Sequence, residues 1–285
     1  MSRDALGVLM HGKVRSSWAG NKVSDWANYL APARPSPSEL RVIAQYIKRL
    51  GRPRKVLRVA ILGSTVEFRS LCHSYGADVT VIEFSRTHYR ILSRQPMAYR
   101  GREVLREEDW REMKADRKYD LVLGDLALNV VARSDVPKVL RNIARLLAHD
   151  GTCLLRTWVR ADDRRLDLKT VVAAHRMRTP RVHFYTACML PLHMCDYDFR
   201  RDNADYPAMT HRLRDAHRTG IVAKAEYEYC RDRWRLEGSA FTIPRKDVLE
   251  RIKRRFLRVT AIRHGDDCYR GWAPIYVLKA KADLE

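Results

Sequence analysis

Apolar and polar positions along this chain switch between two periods, and the switches mark its elements. Glu39 to Leu50 carries apolar residues at Leu40, Ile43, Ala44, Ile47 and Leu50, the stripe of an amphipathic helix. Ser38 reads as its N-cap, because Pro32, Pro35 and Pro37 break any helix before it. Val56 to Leu62 is a continuous apolar run that stops at Gly63-Ser64-Thr65. Helical spacing follows from Val66 to Tyr75, and a second apolar run, Val79 to Ile82, ends at Glu83. The next elements are a helix to about Arg94, a short strand near Glu103–Leu105 and a strand over Tyr119–Leu123 closed by Gly124-Asp125. A helix over Asp135–Ala148, stopped by His149-Asp150-Gly151, leads to a strand over Thr152–Trp158. From Ala161 to about Ile243 the alternation stops. That region is rich in Tyr, Trp, His, Met and Arg, with helical stretches near Leu168–Met177 and Tyr206–Thr219. Lys246–Phe256 reads as a helix, and Leu257–His264 with Pro274–Lys279 as a hairpin. Strands alternating with helices predict an α/β fold with a mainly parallel sheet covered on both faces.

Composition narrows the class. The 285 residues are 46% hydrophobic and 9% aromatic, enough for a folded core and too apolar for disorder. No apolar stretch approaches a bilayer span, and the N-terminus lacks the apolar core of a signal peptide, so a cytoplasmic protein without a membrane partner is expected. The six cysteines are scattered with no CxxC pair, which suggests reduced thiols and no metal cluster. The net charge of +21 raises a polyanionic partner such as nucleic acid. Residues 1–150 hold 27 basic against 16 acidic residues and residues 151–285 hold 28 against 18, so the surplus is spread and forms no tail.

The stretch from Val56 to Glu83 is the strand–turn–helix–strand of a nucleotide site, with an acid where two ribose hydroxyls are held. The turn has one glycine and a carboxylate, Glu67, within it, whereas a pyrophosphate needs several glycines and no acid. The P-loop pattern is absent. A cationic sulfonium tolerates a nearby acid, so charge matching favours S-adenosylmethionine. At this point the sequence resembles the class I S-adenosylmethionine-dependent methyltransferases over about residues 57–158 and the terminal hairpin. The loop Leu62-Gly63-Ser64-Thr65-Val66-Glu67-Phe68 is similar to the LGxTxE variant of some bacterial members. The resemblance implies a Rossmann-like, seven-stranded sheet with helices on both faces and an antiparallel last strand. It implies cofactor contacts from Gly63, Ser64, Thr65 and Glu67. Glu83 would hold the ribose with Phe84 beside the adenine, Asp109 with Trp110 would lie at the adenine amine, and Gly124, Asp125 and Leu126 would stand where the methyl group meets its acceptor. Four segments follow: an N-terminal helical lid over 1–50, a cofactor-binding core over 51–160, an inserted substrate-capping region over 161–243, and a C-terminal helix and hairpin over 244–285.

Methyl transfer from a sulfonium is an in-line displacement that proximity in a dry pocket can catalyse, and a base helps only a protonated acceptor. The [DN]PP[YFW] tetrapeptide of many base methylases is absent after the fourth strand, where Asp125-Leu126-Ala127-Leu128-Asn129 stands. The candidate acceptor wall is Trp26, Tyr29, Trp158 and Tyr185, and the candidate bases are His183 and His193. A single histidine is more often a packed or surface residue, and Trp26 and Tyr29 fit plain packing onto the sheet equally well. The expected partner is a small-molecule methyl acceptor. An RNA methyltransferase, or a non-catalytic protein retaining the fold, is the alternative.

Overall fold

The computed structural model describes residues 23–51, 55–99, 101–233 and 241–281. In chain order the elements are α1 (Pro37–Leu50), β1 (Arg58–Leu62), α2 (Val66–Ser74), β2 (Asp78–Ile82), α3 (Arg86–Ser93), β3 (Val104–Arg106), β4 (Tyr119–Asp125), α4 (Val136–Leu146), β5 (Leu147–Arg156), α5 (Leu168–Arg178) and α6 (Phe184–His193). They continue with β6 (Tyr197–Asp198), β7 (Asn203–Ala204), α7 (Tyr206–Arg218), α8 (Lys224–Arg233), α9 (Lys246–Phe256), β8 (Leu257–Arg263) and β9 (Ile275–Ala280). Seven strands form one sheet in the order β3-β2-β1-β4-β5-β9-β8. β9 runs antiparallel to both β5 and β8, and the other six strands are parallel.

Strand alternation sorts the side chains into two cores. Val59 and Ile61 of β1 face α1 and α2, where Ile43, Ile47, Phe68 and Cys72 pack on Val79, Val81, Leu121 and Leu123. Ala60 and Leu62 face the other way, toward α4 and α9, where Val139, Leu140, Ile143 and Leu249 pack on Val122, Cys153 and Leu278. Both faces are therefore dry, which is why the strands read as unbroken apolar runs. A third cluster joins the sheet edge to the region after β5: Leu126 and Trp158 pack with Tyr185, Met189, Leu192, Tyr206 and Phe241.

The structure corrects several expectations. α1 is capped by Ser36, with Pro37 in its first turn and a capping box to Glu39, not by Ser38. It is a core layer of the sheet and not a lid; only the strap 23–36 ahead of it, opened by a 3-10 turn at Val23–Asn28, runs over the sheet edge. Residues 1–22 of the expected lid lie outside the described residues. β5 begins at Leu147, so His149-Asp150-Gly151 belongs to the strand, and Trp158 stands two residues beyond its end. In the segment 161–243, expected to cap a substrate, the described residues hold α5 and α7 where helical stretches were expected, and also α6, α8 and the small β6–β7 hairpin. α6 escapes the sequence pattern because it is apolar nearly all round and carries Pro191 in its last turn.

Candidate active site

The carboxyl ends of β1, β2, β4 and β5 define the working edge of the sheet, as in other open α/β folds. β1 gives way to Gly63, whose φ of +88° is open to glycine without strain. A Cβ there would meet the Trp110 ring at 3.5 Å. Trp110 is fixed by its indole N–H, which donates to the Ile82 carbonyl at 2.7 Å. It is a buried wedge beneath the loop rather than a wall of an open pocket. The loop N–H groups are left at the head of α2, since Thr65 makes no side-chain cap.

β2 ends in Glu83, 2% exposed. Its carboxylate accepts from the Ser64 hydroxyl at 3.2 Å and the Ser85 backbone N–H at 3.1 Å, and it pairs with His88 Nδ1 at 3.0 Å. Loop and acid are thus tied directly to each other. Beside them Phe84, Arg86, Thr87, Glu107, Glu108 and Asp109 line an open pocket of 470 Å³. Asp109 is oriented by Arg111, whose backbone N–H and Nε reach it at 2.9 and 2.8 Å.

At the end of β4, Gly124 is a packing glycine, because a Cβ would come within 2.7 Å of Leu155. Asp125 pairs with the buried Arg156 at 2.8 Å, and Arg156 also holds Glu39 at 2.8 Å and the Pro32 carbonyl. Burial pushes the Asp125 carboxyl up to about 6. Leu126 follows with φ +54°, a left-handed conformation rare for a branched side chain, held by its N–H on the Arg156 carbonyl. Asn129 then ties the β4 and β5 ends together, its amide donating to the Trp158 and Thr242 carbonyls and accepting from the Trp158 N–H.

The strap closes over this edge. Trp26 donates its indole N–H to Glu67 at 3.1 Å, and Arg34 pairs with the same carboxylate at 3.2 Å. Glu67, its pKa raised by burial, is therefore held by the strap. The far end of the strap rests on α8, where Tyr229 and Arg233 donate to the Asn28 carbonyl. Tyr29 lies 5.9 Å from Trp26 and is half-buried.

The two histidines are not brought together. His183 is exposed; it caps α6 by accepting the Tyr185 N–H and leans on the Tyr229 ring at 4.6 Å. His193 is fully buried, with Nδ1 on the Met189 carbonyl at 2.6 Å and its ring edge-on to Trp158 and Tyr206. Burial pushes its pKa down to about 4, so it is a neutral core residue at pH 7. Tyr185 and Trp158 are buried, and the Trp158 Nε1 makes no hydrogen bond. Sequence reasoning missed Glu39, His88 and Arg156. A Ser-x-x-Glu capping box pointed to Glu39 and an arginine inside the apolar run of β5 to Arg156, whereas no local signal marks His88.

No protein-family model and no curated protein matches the sequence. Solved structures do resemble the fold. A Rhodobacter sphaeroides protein provisionally described as a zinc-dependent alcohol dehydrogenase superposes with a TM-score of 0.59 at 17% identity, covering 95% of this chain and 98% of that one. The CMeT domain of the citrinin polyketide synthase gives 0.50 at 12% identity, covering 91% of this chain and 56% of that one. The N-methyltransferase NodS of Bradyrhizobium japonicum, with S-adenosyl-L-homocysteine, gives 0.47 at 9% identity, covering 95% and 98%. Dinucleotide-binding dehydrogenase sheets continue in parallel past the fifth strand. Here an antiparallel strand is inserted beside β5 instead. That insertion gives the chain the seven-stranded, Rossmann-like fold of the class I methyltransferases.

Proposed function

We propose that this protein is an S-adenosylmethionine-dependent methyltransferase acting on a small-molecule acceptor. The observation that carries the reading is charge. In a chain of net +21, the working edge gathers four buried acids, Glu39, Glu67, Glu83 and Asp125, against two arginines, Arg34 and Arg156. An edge with surplus carboxylate suits a sulfonium and repels a pyrophosphate. The residues fit that cofactor: Glu83 bonds two side chains, Ser64 and His88, whose places ribose hydroxyls could take, and the pocket at Phe84 and Asp109 adjoins it. When bound, the cofactor supplies an electrophilic methyl group. Gly63 and Ser64 would stand at its amino-acid part, Phe84 and Asp109 at the adenine, and Leu126 with Trp158 at the acceptor side. Leu126 holds a strained backbone at the strand end, a feature that concentrates at functional sites. The strap through Trp26 and Arg34 would exclude water. Neither His183 nor His193 is set to act as a base here, so the reading rests on proximity and an acceptor with a free lone pair. A small acceptor is favoured over RNA because helices and aromatic rings cap this edge.

Calorimetric titration with S-adenosylmethionine, S-adenosylhomocysteine and NADH tests the proposal. Both sulfur compounds should bind, and Glu83→Ala should weaken them by about 10- to 100-fold, the worth of hydrogen bonds to a charged acceptor (about 1.5–3 kcal/mol). Binding of NADH alone, or equal binding by Glu83→Ala, would sink it.

A further inference from the structure

We propose that a basic groove at the opposite edge of the sheet docks an acidic, amphipathic helical segment of a protein partner. The groove encloses 990 Å³ where the parallel strands begin. β5 spans ten residues from this end to Arg156, placing the groove roughly 30 Å from the methyl-transfer edge at about 3.3 Å per residue. Six cations from five places in the chain converge on it: Lys118, Arg145, Arg254, Arg258, Lys279 and Lys281. Asp150 is the one acid in its wall among the described residues, and His149 lies 3.4 Å from it. Among the described residues Arg145, Arg254, Arg258 and Lys279 form no ion pair.

Helix ends do not account for this charge. Arg145 and Arg254 lie in the last turns of α4 and α9. Each helix C-terminus carries only about half a negative charge, so two ends balance about one cation of the six. The rest repel one another within a Debye length and are stabilised by an anionic partner.

The floor decides which anion. Between the cations lie the half-buried Ala144, Ala148, Val259 and Ala280 over the buried Leu147 and Leu257, all aliphatic, and the lining holds no Phe, Tyr or Trp. Single-stranded nucleic acid binds on stacking rings, which this floor lacks, and a duplex offers phosphate but no apolar face to cover it. A helix with one apolar stripe flanked by Glu or Asp matches both floor and rim. Nothing in the proposal depends on the cofactor reading.

The test is a fluorescence-anisotropy titration at about 0.15 M salt. The probes are a labelled helical peptide of about 20 residues with a Leu face and a Glu face, a scrambled peptide of equal composition, and an RNA duplex of about 16 base pairs. The amphipathic peptide should bind at least tenfold tighter than the scramble. Arg254→Glu with Arg258→Glu should weaken it at least tenfold, and the milder Arg258→Gln by a smaller factor. Reversal of the exposed Arg164 and Arg165 in the capping region should change it less than twofold. Equal binding of the two peptides, or equal loss from both reversals, would reduce the groove to diffuse attraction and overturn the proposal. A duplex bound tighter than the peptide, with the same dependence on Arg254 and Arg258, would overturn it in favour of nucleic acid.

Discussion

Replacing Lys253 by methionine should stabilise this protein. Lys253 points from α9 into the sheet and is 0% exposed, with Nζ 2.9 Å from the centroid of the Tyr276 ring. Neither that amine, nor the Tyr276 hydroxyl, nor Glu250 Oε1 finds a hydrogen-bond partner. Two effects compete. An ammonium over an aromatic face gains about 2 kcal/mol when desolvated. Its removal from water costs several kcal/mol, and the second effect wins: burial holds the amine well below its ordinary pKa. Giving up a lysine proton at pH 7 costs at most about 4–5 kcal/mol relative to the unfolded chain. Methionine has nearly the same length and no donor to bury, and imperfect repacking costs about 1–1.5 kcal/mol. The net gain expected is about 1–3 kcal/mol, or about 2–4 °C in Tm for each kcal/mol. The lysine's folded pKa is depressed, so below its unfolded value the unfolded chain binds the extra proton. The lysine's contribution to stability therefore rises with pH toward about 10, while the buried cysteines, their thiols pushed up by burial, give the opposite slope above about 8.5, so the difference between wild type and Lys253→Met isolates the lysine. Urea unfolding at pH 7, 8.5 and about 10 reads both quantities. A variant less stable than wild type at pH 7, with the slope unchanged, would show that the amine stays charged and that the ring contact outweighs its burial.

The remaining predictions address the working edge. His193→Gln should flatten an acid-side slope: the imidazole, pushed down to about 4, stays neutral in the fold while the unfolded chain binds its proton near 6.5, so stability worth about 3 kcal/mol is lost as pH falls from 6.5 to 4. Asp125, pushed up to about 6, gives the opposite slope between about 3.8 and 6, so the difference between wild type and variant in urea melts isolates the histidine. Arg156→Met should cost about 3–5 kcal/mol at pH 7 by leaving Glu39 and Asp125 buried without their cation, visible as a lower urea midpoint. Trp26→Phe keeps an aromatic ring but removes the N–H held by Glu67; amide exchange over 25–34 should speed up and S-adenosylhomocysteine should leave faster in stopped flow, with α1 exchange unchanged. Gly63→Ala should destabilise by about 1–2 kcal/mol, because a side chain must then adopt the left-handed region.

The order of elements in the core was readable from periodicity alone. Val59 to Leu62 and Val79 to Ile82 are buried on both faces, so the runs are unbroken, and Val136 to Leu146 shows its stripe because its other side meets water. Lys246–Phe256 was legible to the residue for the same reason. α6 was not, since a helix buried on every side has no polar face to set a period. The chemistry divides along the same line. A glycine ending one strand and an acid ending the next are local facts, so Gly63 and Glu83 stood out in the sequence. Trp26 and Arg34 meeting Glu67, or Arg156 joining Glu39 to Asp125 across 117 and 31 positions, are contacts between distant segments. Whether His193 is a base or a core residue, and whether any of the basic residues of a chain of net charge +21 gather in one groove, depended on burial and on which helix ends meet. Periodicity fixes which face of an element is dry; only packing decides which distant side chains share that dry space.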